Sequence, residues 1–171
     1  MADVKVAVVR ASTPATTGTV DFTSSGFGTP KAAMFFLCRH DAADGVVWEG
    51  DPQVSVGFTD GTTDKCVGHG IDHGASTSDS NRTQSNHVAA QVSATSASLV
   101  KYGDFNSWIT DGVRIDWTIN SGTRALEIVC VLFGGDDLDA HVGKVDVANG
   151  TAVTGVGFKP DLGFFICSGL A

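Results

Sequence analysis

The stretch Gly112-Val-Arg-Ile-Asp-Trp-Thr-Ile-Asn120 decides the fold class. Val113, Ile115, Trp117 and Ile119 alternate with Arg114, Asp116, Thr118 and Asn120. A period of two puts one set on a core and the other in water, which is the pattern of a strand. Ser121-Gly122 supplies turn chemistry, and Leu126-Glu-Ile-Val-Cys-Val-Leu-Phe133 follows as a nearly continuous apolar run. Such a run is expected of a strand covered on both faces. Together these residues predict an antiparallel hairpin over 113–133.

Outward from that hairpin, Ala32 to Arg39 is apolar throughout and reads as a central strand. Val54–Phe58 and Lys65–His69 flank Thr59-Asp60-Gly61-Thr62, whose Asp-Gly favours a hairpin turn. Val88–Ser93 and Ser98–Phe105 flank residues 94–97 as a further hairpin, and Gly70 to Asn86 reads as a long, polar, exposed loop. Composition agrees: the chain of 171 residues holds 21 Val and 17 Thr against 7 Leu and 2 Glu, with 21 Gly. β-Branched residues favour strands, while Leu and Glu favour helices. The expected fold is all-β, an antiparallel β-sandwich or jelly-roll-like domain.

Charge and hydropathy exclude several partners. Eleven Lys and Arg against 19 acidic residues give a net charge of −8, which repels nucleic-acid phosphates overall. No apolar run approaches the length of a membrane span, so membrane insertion is not expected. Met1-Ala-Asp-Val-Lys-Val lacks the basic and apolar regions of a secretory signal, pointing to synthesis in the cytoplasm. Cys38, Cys130 and Cys167 sit inside apolar runs and are expected to be buried, and all four cysteines, Cys66 included, are expected to be reduced thiols.

The chain also echoes itself. Gly18-Thr-Val-Asp-Phe, Gly26-Phe27, Pro30 and Phe35-Phe36 recur in order as Gly150-Thr-Ala-Val, Gly157-Phe158, Pro160 and Phe164-Phe165. Val4-Lys-Val-Ala-Val8 likewise recurs as Gly143-Lys-Val-Asp-Val147. Residues 1–147 are therefore read as one sandwich module and 148–171 as the start of a second, partial copy. A strand from the Thr151–Ile166 stretch is the candidate for joining modules at a sheet edge.

Phe105-Asn-Ser-Trp-Ile-Thr-Asp-Gly112-Val-Arg-Ile-Asp-Trp117-Thr, then Leu132-Phe133-Gly134-Gly135, then Thr154-Gly-Val-Gly-Phe158-Lys-Pro160-Asp161 carry a resemblance. The order is similar to that of tandem-module virion proteins of tailed bacteriophages, and Asn81-Arg-Thr-Gln-Ser85 stands where those proteins have a similar polar tract. The chain departs from the pattern at Val113, Asp116 and Phe133, where the family commonly has Phe, Asn and a small residue. The resemblance implies a non-enzymatic virion structural protein on the particle surface, tail- or fibre-associated or a capsid decoration. It implies assembly in the host cytoplasm with copies of itself and other virion proteins. Its motifs are packing and turn signals, so no functional residue carries over.

Read for chemistry, the chain offers little. His69-Gly-Ile-Asp72-His73 is the one cluster with metal-ligand types, but His residues four apart converge only on a helix, and Gly70 and Gly74 argue against one. Asp136-Asp-Leu-Asp139 lacks the spaced pattern of a calcium loop. Nucleophile elbows, phosphate loops, His-Glu-x-x-His and Cys-x-x-Cys are all missing from the sequence, so neither enzyme chemistry nor a cofactor is expected. The alternative function is a lectin-like module recognising host-surface glycans, with Trp48, Asn81 and Arg82 as the candidate contacts.

Overall fold

The computed structural model describes residues 3–39, 53–71, 80–93, 96, 98–122, 125–145 and 152–167. Within them the chain is all-β and builds two antiparallel sheets. A wide sheet has the order β1-β10-β3-β4-β5-β6, and a narrow sheet has the order β2-β9-β8-β7. The wide sheet takes β1 (Lys5–Ser12), β3 (Pro30–Cys38), β4 (Gln53–Thr59), β5 (Asp64–Ile71), β6 (Ser80–Ser85) and β10 (Glu127–Gly134). The narrow sheet takes β2 (Gly18–Thr23), β7 (Ala89–Val92), β8 (Leu99–Ile109) and β9 (Gly112–Ile119). The expected sandwich architecture is therefore present.

Its core follows from the alternation. Val113, Ile115 and Trp117 on β9 are buried and face Ile128, Cys130 and Leu132 on β10, while Phe35 and Leu37 of β3 fill the centre. Phe35 meets Phe22 of β2 edge-to-face, with ring centroids 5.6 Å apart and planes at 79°. That geometry suits the positive edge and negative face of aromatic rings. The edge pair bridges the two sheets.

The hairpin expected over 113–133 is not formed. Both strands exist, but β9 pairs with β2 and β8, whereas β10 pairs with β1 and β3 in the other sheet. The two strands therefore lie in opposite layers instead of side by side in one sheet. Asn120 and Ser121 donate backbone N–H groups to the Val100 carbonyl, holding the chain beside β8, and Leu126 is then buried and donates its N–H to Thr13 Oγ1. The physical reason lies in the apolar faces. Each strand presents one apolar face, and a two-layer core is satisfied when those faces oppose each other across it. Nor is β10 covered on both sides: its inner residues are buried, while Val129, Val131 and Phe133 on its outer side are only partly so.

Other expectations hold. The strand at 32–39 is β3, inside the wide sheet; β4 and β5 form the Asp60-Gly61 hairpin; β7 and β8 pair with one another. The 70–86 segment is not all loop, because β6 pairs with β5 from Ser80 to Ser85. Two thiols expected inside, Cys38 and Cys167, are exposed, whereas Cys66 and Cys130 are buried; all four are free.

Glycines set how closely the layers approach. A Cβ on Gly57 of β4 would lie 2.0 Å from the Val88 carbonyl oxygen, and on Gly68 and Gly70 of β5 it would lie 2.9 Å from Ala90 O and 2.7 Å from Val92 O. The β7 backbone runs across that bare lane, and Ala90 N donates to Ser55 Oγ at 3.1 Å. With no side chain in the way, the backbone itself packs.

Candidate interaction surface

The two outer faces of the sandwich differ in chemistry. On the narrow sheet, Arg114 of β9 donates through Nε and a terminal nitrogen to both carboxylate oxygens of Asp21 on β2, each at 2.7 Å. Asn106 donates to Asp116 at 2.8 Å, and His87 Nδ1 lies 2.6 Å from Asp104 while its ring stacks on Tyr102 at 4.1 Å. The Arg114 hydrogen bond, more than its charge, holds the Asp21 carboxyl below the usual carboxylate range. This face is polar and solvated.

The outer face of the wide sheet is apolar. The register sets Val6 beside Phe133, Val8 beside Val131, Val131 beside Met34, and Val129 beside Phe36. It continues through Val56 opposite both Phe36 and Val67, and Phe58 opposite Met34. Val8 is 68% exposed, Val6 58%, Val54 50% and Phe36 40%. Isolated surface valines need no explanation, but contiguous apolar residues across adjacent strands mark a contact surface. Polar groups rim the patch: Arg10 lies 3.1 Å from Glu127 at the β1 side, and Arg82 stands opposite His69 at the β6 side.

The segment after β10 is pinned across one end of this sheet. Lys31 Nζ donates to the carbonyls of Asp136 and Leu138 at 3.0 and 2.8 Å, and Val142 N donates to Asp60 Oδ2 at 2.8 Å. Asp60 Oδ1 meanwhile accepts from Thr62 and Thr63 in the β4–β5 turn. Lys144 then borders a small polar cleft of about 160 Å³ with Lys65, Gln84, Ser85 and Asn86. Ligand pockets run to roughly 300–1,000 Å³, so this cleft is too small for most organic ligands. The residues beyond, 152–167, contain no strand and are exposed almost throughout.

The residues singled out from the sequence fall as follows. His69 lies on the outer side of β5, half-buried; its proposed co-ligands Asp72 and His73 lie outside the described residues, as does Trp48. Among the described residues, no three His, Cys, Asp or Glu side chains gather as a metal would require. Asn81 turns inward and donates its amide to the Ser93 carbonyl at 3.1 Å, whereas Arg82 is exposed on the outer side of β6. Sequence reasoning missed the acidic group near the β4–β5 turn. Asp64 accepts from Phe105 N at 2.9 Å, and burial raises its carboxyl above the ordinary range. Because Asp64 and Asp60 bind backbone groups on neighbouring elements, the cluster reads as structural. No family model, curated protein or solved structure matches the chain.

Proposed function

We propose that this chain is a non-enzymatic structural module of a tailed-bacteriophage particle, displayed on the tail, on a fibre or as a capsid decoration, and that it works by assembling with copies of itself and other virion proteins. One observation supports the assembly reading above the rest: a contiguous apolar outer face on the wide sheet, opposite a narrow sheet whose outer face is polar. A sandwich that faces water on both sides keeps polar residues on both. One apolar side and one polar side instead suit a module whose wide sheet is covered in the assembled particle. The phage assignment rests on the sequence resemblance.

The test is particle content. Antibody against the chain should decorate particles of the phage that encodes it, and the chain should co-purify with them at a fixed copy number. Purified particles that lack the chain would refute the virion assignment. A glycan array distinguishes the lectin-like alternative, which requires saturable binding to a defined sugar.

A further inference from the structure

We propose that residues 162–167 of one copy add as a strand to the β1 edge of a second copy, linking modules head to tail. The proposal rests on the reading of the chain as an assembling structural module and names the contact that joins its copies.

The first argument is the repeat. Gly26-Phe27, Pro30 and Phe35-Phe36-Leu37-Cys38 define the entry to β3 and its second half, and Gly157-Phe158, Pro160 and Phe164-Phe165-Ile166-Cys167 repeat them in order. The backbone repeats too: Gly26 and Gly157, each before the Phe, have φ of 76° and 84°. The tail thus carries the chemistry of a strand that lies between two others. Its surroundings do not match that chemistry. Phe35 is 0% exposed and Leu37 2%, while their counterparts Phe164 and Ile166 are 57% and 40% exposed. A sequence built for a sheet interior stands here without a sheet.

The second argument is the choice of acceptor. An added strand needs an edge with unpaired backbone groups and side chains of matching polarity. Of the wide sheet's edges, β6 presents Ser80, Arg82 and Gln84 to solvent. In the narrow sheet, β2 exposes Thr19, Asp21 and Thr23, and β7 has only four residues. The β1 edge is eight residues long and exposes Val6 and Val8, with Ala7, Val9 and Ala11 partly open on its inner side. Alternation in the tail then sets Phe164 and Ile166 beside that inner row and Phe165 beside the valines.

The third argument is direction. Lys144, among the last described residues before the tail, sits with Gln84, Ser85 and Asn86 at the β6 side of the wide sheet, and β1 forms the opposite edge. Strands are spaced about 4.8 Å apart, which places the two edges roughly 24 Å from each other. A tail of one copy seated on the β1 edge of the next uses two different surfaces, a heterologous contact that can repeat from copy to copy.

The experiment is complementation by mixing, read by size-exclusion chromatography with light scattering. The wild-type chain should assemble with rising concentration. A tail variant, Phe164→Asp/Ile166→Asp, and an edge variant, Val6→Lys/Val8→Lys, should each be monomeric and unfold at the wild-type temperature, because all four side chains are at least 40% exposed. Mixed in equal amounts, the edge variant's intact tail meets the tail variant's intact edge, giving a one-to-one dimer and nothing larger. In a Cys38→Ser background, Val4→Cys, Val6→Cys or Val8→Cys should cross-link to Cys167 of another copy under an added oxidant. Strand donation is overturned by a monomeric wild type, by either variant assembling as wild type does, by a mixture that stays monomeric, or by no cross-link at any position. None of these results touches the virion assignment, which particle content decides.

Discussion

Truncating two equivalent phenylalanines separates a residue inside the core from its repeat outside it. Phe35 is 0% exposed, sits between the layers and packs edge-on against Phe22 at 5.6 Å. Phe→Ala at such a site costs about 3–5 kcal/mol, combining lost transfer energy with the cavity left behind. The aromatic pair adds about 0.5–1.5 kcal/mol and places Phe35→Ala at the upper end. For a domain of this size each kcal/mol lowers Tm by roughly 2–4 °C, so a drop of about 10–20 °C is expected. Phe164 is 57% exposed, and Phe164→Ala should stay within about 0.5 kcal/mol of wild type. Both are measured by thermal and urea unfolding, followed by circular dichroism, at dilutions where the chain is monomeric. Equal losses at the two positions would refute the reasoning, since they would mean that the tail is packed into its own module. A Phe35→Ala loss below about 1 kcal/mol would refute the core assignment.

Further outcomes follow from single contacts. Gly57→Ala should destabilise by about 1–3 kcal/mol or more, because its Cβ would meet the Val88 carbonyl oxygen at 2.0 Å, whereas Gly18→Ala, with nothing nearer than 3.9 Å, should be close to neutral in the same unfolding assay. Asp21 titrates low when folded because of Arg114, so the unfolded chain binds more protons in acid. Its contribution is therefore present above a pH of about 3.8 and is lost as the pH falls through the lowered folded value, and Asp21→Asn should flatten that part of an acid-unfolding profile. Lys101 has its ammonium pushed below its usual range by burial, so folding is penalised while the group is charged and relieved as the pH rises toward 10.5. Lys101 Nζ also donates to Thr13 Oγ1 at 3.2 Å and to the Pro14 carbonyl at 3.3 Å, so the test is the pH dependence: wild type should gain stability relative to Lys101→Met as the pH rises toward 10.5, and a relative loss there would contradict the assignment.

Much of this fold is legible in the sequence, and the parts that are not share a cause. Period-two alternation locates β9, and Asp60-Gly61 locates the β4–β5 hairpin, because both signals are local. Pairing is not local. The pattern at 113–119 specifies which side of the strand is buried, but not which sheet it joins, and sequential strands are spatial neighbours only about two-thirds of the time. β6 escapes a hydrophobic reading because Ser80-Asn-Arg-Thr-Gln-Ser85 has no apolar face; it is a strand through its backbone pairing with β5. The bare lane was open to view as glycines at 68 and 70 with Gly57 on the facing strand, but its meaning depends on β7 crossing above them. The interaction surface was hidden by its own chemistry: runs such as 34–38 and 128–133 look doubly buried, and only the structure reveals that Phe36 is exposed and Val129, Val131 and Phe133 are partly so on the outer side, while Met34 there is covered.

That uncovered side also constrains how copies can be arranged. Apolar area removed from water is worth about 25 cal/mol per Å², so the outer face of the wide sheet favours any arrangement that covers it. A tail strand laid on the β1 edge extends the wide sheet sideways and does not cover that face. It would extend the acceptor's wide sheet by one strand, setting Phe165 beside the Val6 and Val8 margin of the apolar face. Two contacts of different character then divide the work. In the proposed assembly, strand addition through directional backbone hydrogen bonds would link successive copies into a row, and the apolar face would stay open to attachment through a second, non-directional contact. The two are separable by mutation: Phe36→Ser should weaken attachment and leave the row intact, whereas the tail variant should break the row and leave single modules still able to attach. A Phe36→Ser chain that no longer forms rows would show that one surface serves both contacts.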